Sequence, residues 1–209
     1  MAKTDVLYFD GLDDILIAMM TTPDNVGVEP VYSEIVRLPI ATKLGIKGNG
    51  STLEKWASSK MFRMVSRETK HEIALDHVGI PIEVMDELKG LVAVNAATFA
   101  TTQSREYPFF AFGFIGNMEG GGKKAVWYPK TQLSNVIDEE YETAEEETKI
   151  NDVTANLVSV GLKNNGVIYS SFDSNRVDGS IELFEKFITQ PVFDETQWTT
   201  LAGATEGGV

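Results

Sequence analysis

Histidine is the residue type best suited to acid–base or metal chemistry, and this chain has two histidines. His71 and His77 lie six residues apart within one predicted strand. At about 3.3 Å per residue they stand about 20 Å apart, too far to share a metal ion or a proton. No nucleophile elbow of the form G-x-S-x-G accompanies them. The sequence therefore predicts surface or interface histidines, no catalytic residues and no metal site.

Two glycine-rich segments, 45–50 and 120–124, have a composition that also occurs in phosphate-binding loops. Neither precedes a predicted helix, and Lys123 lacks the Ser or Thr that follows the lysine of a P-loop. Because helix N-termini supply the N–H groups that bind anions, both segments are predicted to be hairpin turns. The sequence thus indicates no cofactor.

Carboxylates are concentrated in the run Asp138–Glu147, where seven of ten residues are acidic. Such a run repels itself and cannot be buried together, so it is predicted to be a solvated loop. A second segment, Asp173–Gly179, is similar to the start of a calcium loop, but Val177 stands where a ligand is required. Neither segment predicts a metal site.

Composition places the chain among soluble single-domain proteins. Its 209 residues carry a formal net charge of −13, which disfavours tight binding to nucleic acids and anionic membranes. The absence of cysteine excludes disulfides and thiolate metal sites. The first residues lack an apolar h-region, and no apolar stretch reaches the roughly 20 residues that span a bilayer. We therefore expect a soluble protein, made inside the cell and not inserted in a membrane.

The elements that would position any site are mostly strands. Two aromatic-rich segments, 107–115 and 123–130, flank the turn Asn117–Gly122 and predict a central β-hairpin. Its aromatic side chains fall on both faces of the hairpin. One face can pack in a core, whereas the other requires a second layer or a neighbouring subunit. The aromatic residues concerned are Phe109, Phe110, Phe112, Phe114, Trp127 and Tyr128.

The clearest alternation lies in 67–80, where Ile73 and Leu75 face one way while Glu72 and Asp76 face the other. This pattern predicts a half-buried strand. Further strands are predicted at 6–9, 15–20, 31–38, 41–47, 51–58, 150–162 and 167–172, with turns at 48–50 and 164–166. The second turn is predicted to pair 150–162 with 167–172 as a hairpin.

Two short helices are predicted. The first begins after Pro81 and ends at Gly90, a C-terminal capping residue. The second covers 181–189, with Ser180 as its N-cap. Flexible loops are expected at 21–30 and 138–147, and a mobile C-terminal tail at 202–209.

Several of these segments also occur together, in the same order, in one known family. They are Asp10–Ala18, Glu68–Gly90, Phe110–Ile115 and Trp127–Lys130. From about Asp10 to Phe193 the chain resembles the major tail protein, or tail tube, family of long-tailed bacteriophages.

The resemblance implies a mainly β fold, a β-sandwich or partly open barrel with one or two flanking helices, as one domain over 1–209. It also implies hexameric rings that stack into a tube through which DNA is ejected without specific binding. The implied partners are other copies of the chain and the tape measure, terminator and distal tail proteins. The implied location is the virion tail, reached from the host cytoplasm during assembly.

Within such a tube, charged residues are the candidates for the lumen and for contacts between subunits or rings. Strand carboxylates that would face the lumen are Glu68, Glu72 and Asp76. Loop residues that would contact other subunits or rings are Asp24, Asn25, Glu140, Glu142 and Glu146.

Two other functions are compatible with the sequence. A ring-forming tail terminator or connector protein would share the fold. A carbohydrate-binding β-sandwich module would instead use the aromatic residues of the central hairpin as its contact surface.

Overall fold

The computed structural model describes residues 8–57, 60–101, 106–134 and 153–203, and for 52–57 and 60–65 it describes the backbone alone. This part of the chain is mainly β, as predicted, with nine strands and three short α-helices. The strands are β1 Phe9–Thr22, β2 Val31–Tyr32, β3 Val36–Leu38, β4 Ala41–Ala57, β5 Lys60–His77, β6 Phe110–Met118, β7 Lys123–Leu133, β8 Val153–Val160 and β9 Ser170–Asp173. The helices are α1 Ile82–Lys89, α2 Ile181–Phe187 and α3 Glu195–Gly203.

All the strands belong to one antiparallel sheet. Its order is β2-β1-β6-β7-β8-β5-β4, while β3 pairs with β1 and β9 pairs with β7. The central hairpin predicted from the aromatic segments is confirmed as β6 and β7, with Asn117 opposite Lys123 at the turn. This architecture agrees with a β-sandwich or partly open barrel.

One face of the sheet forms the main core. Side chains from β1, β5, β6, β7 and β8 meet there, and Leu88 of α1 packs against them. The core residues include Ile15, Ile17, Ile73, Leu75, Phe110, Phe112, Tyr128 and Leu157. The half-buried strand predicted at 67–80 is confirmed, because Ile73 and Leu75 are both buried in this core.

The opposite face of β1, β6 and β7 is covered by α2 and α3. Trp127 is fully buried in this second core, and its indole N–H donates a hydrogen bond to the backbone carbonyl of Phe187 at 3.0 Å. Phe184 and Phe187 of α2 and Trp198 of α3 complete the layer. The aromatic residues on the second face of the hairpin are therefore covered by helices of the same chain and need no neighbouring subunit for burial.

Long-range pairing changes three predicted boundaries. β1 is one strand from Phe9 to Thr22, where two short strands were predicted, and residues 1–7 lie outside the described part. The segment 31–38 is interrupted between β2 and β3. Gly48–Gly50, predicted to be a turn, is extended within β4 because each of its residues pairs with β5.

The C-terminal part of the fold also departs from the prediction. A turn does form at 164–166, with Gly166 at a φ of 76°, but the strand after it pairs with β7 and not with β8. Phe172 of β9 thereby packs against Phe187 and Trp198 in the second core. Helix α3 was not predicted. It includes the first two residues of the tail expected at 202–209, and 204–209 lie outside the described part.

Candidate functional site

The two longest described strands, β4 and β5, form a long β-hairpin. The two strands pair from Ala41 with His77 to Ala57 with Lys60. β8 accompanies β5 only between Lys70 and His77. Residues 50–57 and 60–69 therefore extend beyond the sheet as a two-stranded projection, which we call the arm. Eight residues of β4, at about 3.3 Å each, make the arm roughly 25 Å long.

The outer edge of β4 carries unpaired backbone groups. β4 is the last strand of the sheet, and within the described residues it pairs only with β5 over its 17 residues. Exposed edges of this length template pairing with another chain, so natural proteins cover, shorten or close them. An edge this long is thus suited to pairing with another polypeptide.

A β-bulge at the base of the arm reverses the orientation of Glu68. Asn49 lies opposite Lys70 and Gly50 opposite Glu68, so Thr69 has no partner residue in β4. One extra residue turns the following side chains to the other face. The Glu68 carboxylate consequently lies 3.6 Å from Nε2 of His71, whose ring is on the core face. Glu68 therefore does not share a face with Glu72 and Asp76, the other two strand carboxylates named as candidates for the lumen.

Glu72 and Asp76 do lie together, on the outward face of β5. Glu72 forms a 2.8 Å ion pair with Lys70, which together with nearby Lys47 holds the pKa of this exposed carboxyl below its ordinary value. Asp76 accepts a hydrogen bond from the Thr154 hydroxyl at 2.6 Å. The face is of mixed charge, because Lys70 on β5 and Lys47 on β4 both lie beside the Glu72 carboxylate.

Between these charged residues the outward face has a shallow depression of about 620 Å³. Small residues, Gly45 and Ala74, form its floor across β4 and β5. Lys47, Glu72 and Asn156 stand around it. The outward face of β4, β5 and β8 is therefore polar and exposed, whereas the equivalent face of β1, β6 and β7 lies under helices.

Both histidines are buried, which contradicts the prediction of surface or interface positions. They lie on one strand, as predicted, with exposures of 6% for His71 and 3% for His77. Nδ1 of His71 lies 3.2 Å from the Tyr128 hydroxyl, and the His71 ring also contacts Tyr169. Burial, followed by the proximity of Tyr169 and Glu68, raises the pKa of Tyr128 to about 12. This cluster joins β5 to β7 inside the core.

Asp24 is not a surface contact residue, although its loop is polar. Its side chain is 1% exposed and forms an ion pair with the buried ammonium group of Lys130. The Lys163 backbone N–H also donates to this carboxylate. Burial alone would raise the pKa of Asp24, but these partners outweigh it and hold the pKa below its ordinary value. Asp24 therefore holds the 23–30 loop against the sheet.

Asn25, the neighbouring candidate, is exposed and remains accessible to another subunit. Its side-chain oxygen accepts a hydrogen bond from Val26 N–H at 2.9 Å, and its backbone pairs with Val28. Glu140, Glu142 and Glu146, with the whole acidic loop 138–147, lie outside the described residues.

Within the described ranges, no group of three or more His, Asp or Glu side chains is arranged to hold a metal ion. No helix in those ranges combines the length and the apolar character needed to cross a membrane.

Comparison of the sequence with protein-family models gives no match, and comparison with curated proteins gives none either.

Proposed function

We propose that this chain is a structural virion protein whose copies pair through β-strands into stacked rings, the tail tube of a long-tailed bacteriophage. The observation that supports this most is the arm together with the open edge of β4. The hexameric ring and the role as a conduit for DNA come from the sequence resemblance.

Ring closure is the physical reason to connect an open edge with assembly. A sheet that continues from one copy to the next leaves no unpaired strand once the ring closes. A head-to-tail contact that closes by rotation gives a ring, whose faces can then stack. The described fold supplies a strand of 17 residues for such pairing.

Charge is compatible with DNA passing without adhesion. The chain carries a net charge of −13, and protein–DNA adhesion depends on Lys and Arg neutralising phosphates. On the outward face of β5, the Lys70 ammonium is already paired with Glu72. Across the strand pair, Lys47 lies opposite Glu72 and Lys43 lies opposite Asp76, so cations and anions on this face are nearly equal in number.

The carbohydrate-binding alternative loses its contact surface in this fold. It required the hairpin aromatics to be accessible, yet Phe110, Phe112 and Trp127 are fully buried.

The terminator alternative retains the same fold and the same arm. It differs in the product, since a terminator forms single rings whereas a tube protein forms stacks of variable length.

Shortening the arm tests the proposal. In this variant an Asn-Gly turn replaces residues 52–66, so that the paired residues Ser51 and Arg67 flank the turn and β4 and β5 keep their pairing within the body. We expect the circular dichroism of a folded, mainly β protein and the loss of rings and tubes in negative-stain electron microscopy. A shortened protein that assembles like the full chain would contradict the proposal.

A further inference from the structure

A groove of about 960 Å³ runs beside β9. Five successive residues, Tyr169–Asp173, line it. Successive residues of a strand point to opposite faces, so a groove that touches all five lies along the edge of the strand. Among the described strands, β9 pairs only with β7, which leaves this edge open. The groove therefore combines unpaired backbone with a cavity beside it.

The groove has an apolar floor and an acidic rim. Its apolar lining residues are Phe172, Leu183, Phe187, Val192, Phe193 and Trp198. Its carboxylates are Asp173, Asp178, Asp194 and Glu195, with Arg176 as the one cationic group among the lining residues that are described. An open strand edge beside apolar pockets is the arrangement that accepts an added β-strand. The acidic rim favours an occupant that is both basic and apolar.

The arm has this composition, which is unusual in an acidic chain. Residues 51–67 contain four basic residues, Lys55, Lys60, Arg63 and Arg67, against a single carboxylate at Glu54. The same segment contains six large apolar residues in its sequence: Leu53, Trp56, Met61, Phe62, Met64 and Val65. Oppositely charged surfaces steer association and select the partner.

Within one copy, the arm residues whose side chains are described do not lie in the groove. Its base, from Ser66 to Thr69, is exposed, and none of these residues lines the groove. We propose that the groove beside β9 receives the arm of a second copy, which adds a strand to the open edge and places its cations near the acidic rim. This inference rests on the proposed function, because it names the surface through which copies join.

Cysteine cross-linking tests the contact directly, since the chain has no cysteine of its own. A Val177→Cys protein is mixed with a Lys60→Cys protein and oxidised, so that a mixed disulfide can form only between copies. Val177 is 93% exposed on the loop that lines the groove. The control is Val92→Cys, which is 80% exposed in the segment after α1. We expect the Val177–Lys60 product to exceed the Val92–Lys60 product several-fold by mass spectrometry.

Charge reversal supplies a second, independent readout. Asp178→Lys with Glu195→Lys changes two exposed rim residues and is expected to abolish assembly while leaving circular dichroism unchanged. Adding Lys60→Glu and Arg63→Glu to the same chain should restore assembly, because a basic rim then faces an acidic arm and the attraction between opposite charges returns.

The two proposals fail in different ways. Rings and tubes that form normally, with no excess cross-link and no effect of the rim reversal, would overturn the groove contact and leave the proposed function standing. A specific cross-link in a protein that forms only dimers would support the groove contact and overturn the tube. Absence of both the cross-link and any assembly would overturn both.

Discussion

The ammonium group of Lys130 and the carboxylate of Asp24 form an ion pair inside the fold, although 106 residues separate them. Lys130 lies on β7, and Asp24 lies on the 23–30 loop that follows β1. Both side chains are almost completely buried, at 6% and 1% exposure. Lys130 also stands 4.9 Å from the ring centroid of Phe109, which provides a cation–π contact. The pair therefore fixes a polar loop to the centre of the sheet.

Asp24→Asn should destabilise the fold strongly. The substitution leaves the buried Lys130 ammonium without its anion, which costs about 3 kcal/mol in comparable buried pairs. Urea unfolding followed by circular dichroism measures the loss. The matched control is Glu182→Gln, which removes an ion pair with Lys186 in which Glu182 is 82% exposed. This control should cost less than about 0.5 kcal/mol, and equal losses in both variants would contradict the account.

The same pair predicts an acid-sensitive fold. The pKa of Asp24 is lowered in the folded state, so its contribution is complete above the unfolded pKa of about 3.9. That contribution is lost as the pH falls through the lower, folded pKa. The free energy of unfolding should therefore decrease between about pH 5 and pH 2, and Asp24→Asn should flatten this decrease. A pH series of urea unfolding curves that runs parallel in both proteins would refute the assignment.

Gly113→Ala should also destabilise the fold. A Cβ atom at this position of β6 would lie 2.7 Å from Cε3 of Trp127, too close for a fully buried ring to accept without movement. Overpacking of this kind costs about 1–3 kcal/mol. Gly45→Ala serves as the control, because its nearest neighbours in β5 lie at 3.9 Å. Thermal unfolding should show a lower midpoint for Gly113→Ala and an unchanged or slightly raised one for Gly45→Ala.

Glu72→Lys combined with Asp76→Lys should make assembled particles retain DNA. Both carboxylates lie on the outward face of β5, where the proposal requires a wall that does not bind phosphates. We expect about tenfold more short duplex DNA to co-sediment with the particles at low salt. The control, Glu182→Lys with Glu185→Lys, makes the same change of charge on α2. Equal DNA retention in both variants would place this face away from the lumen.

Local sequence patterns predicted the elements that are formed by contacts between residues close together in the sequence. The hairpin of β6 and β7 is confirmed because its alternating aromatics and its glycine turn act within a few residues of each other. Helix α1 is confirmed for the same reason. Its capping residue Gly90 has a φ of 59°, a left-handed conformation that few other residues adopt.

The arm could not be predicted from local chemistry. Gly48–Gly50 has the composition of a turn, yet pairing with β5 keeps it extended. Gly50 allows the backbones of β4 and β5 to come close together, since a Cβ atom at this position would lie 2.9 Å from the Arg67 carbonyl oxygen. The neighbouring bulge at Thr69 then places Glu68 on the core face, which a strict period of two cannot anticipate.

The burial of Asp24 was missed for a related reason, whereas helix α3 was missed although its signal is local. The burial of Asp24 depends on Lys130 and on the Lys163 N–H, both more than 100 residues away in sequence. Helix α3 begins after Asp194, whose carboxylate accepts hydrogen bonds from the Thr196 and Gln197 N–H groups. These bonds lower the pKa of Asp194. That capping pattern was visible in the sequence and was the available signal for this helix.

Electron microscopy of the purified full chain, over a range of protein concentrations, shows whether its copies assemble into a tube. We expect annular particles with sixfold symmetry in end views and tubes of variable length in side views. Particles that remain single subunits at every concentration, with the edge of β4 exposed to solvent, would contradict it.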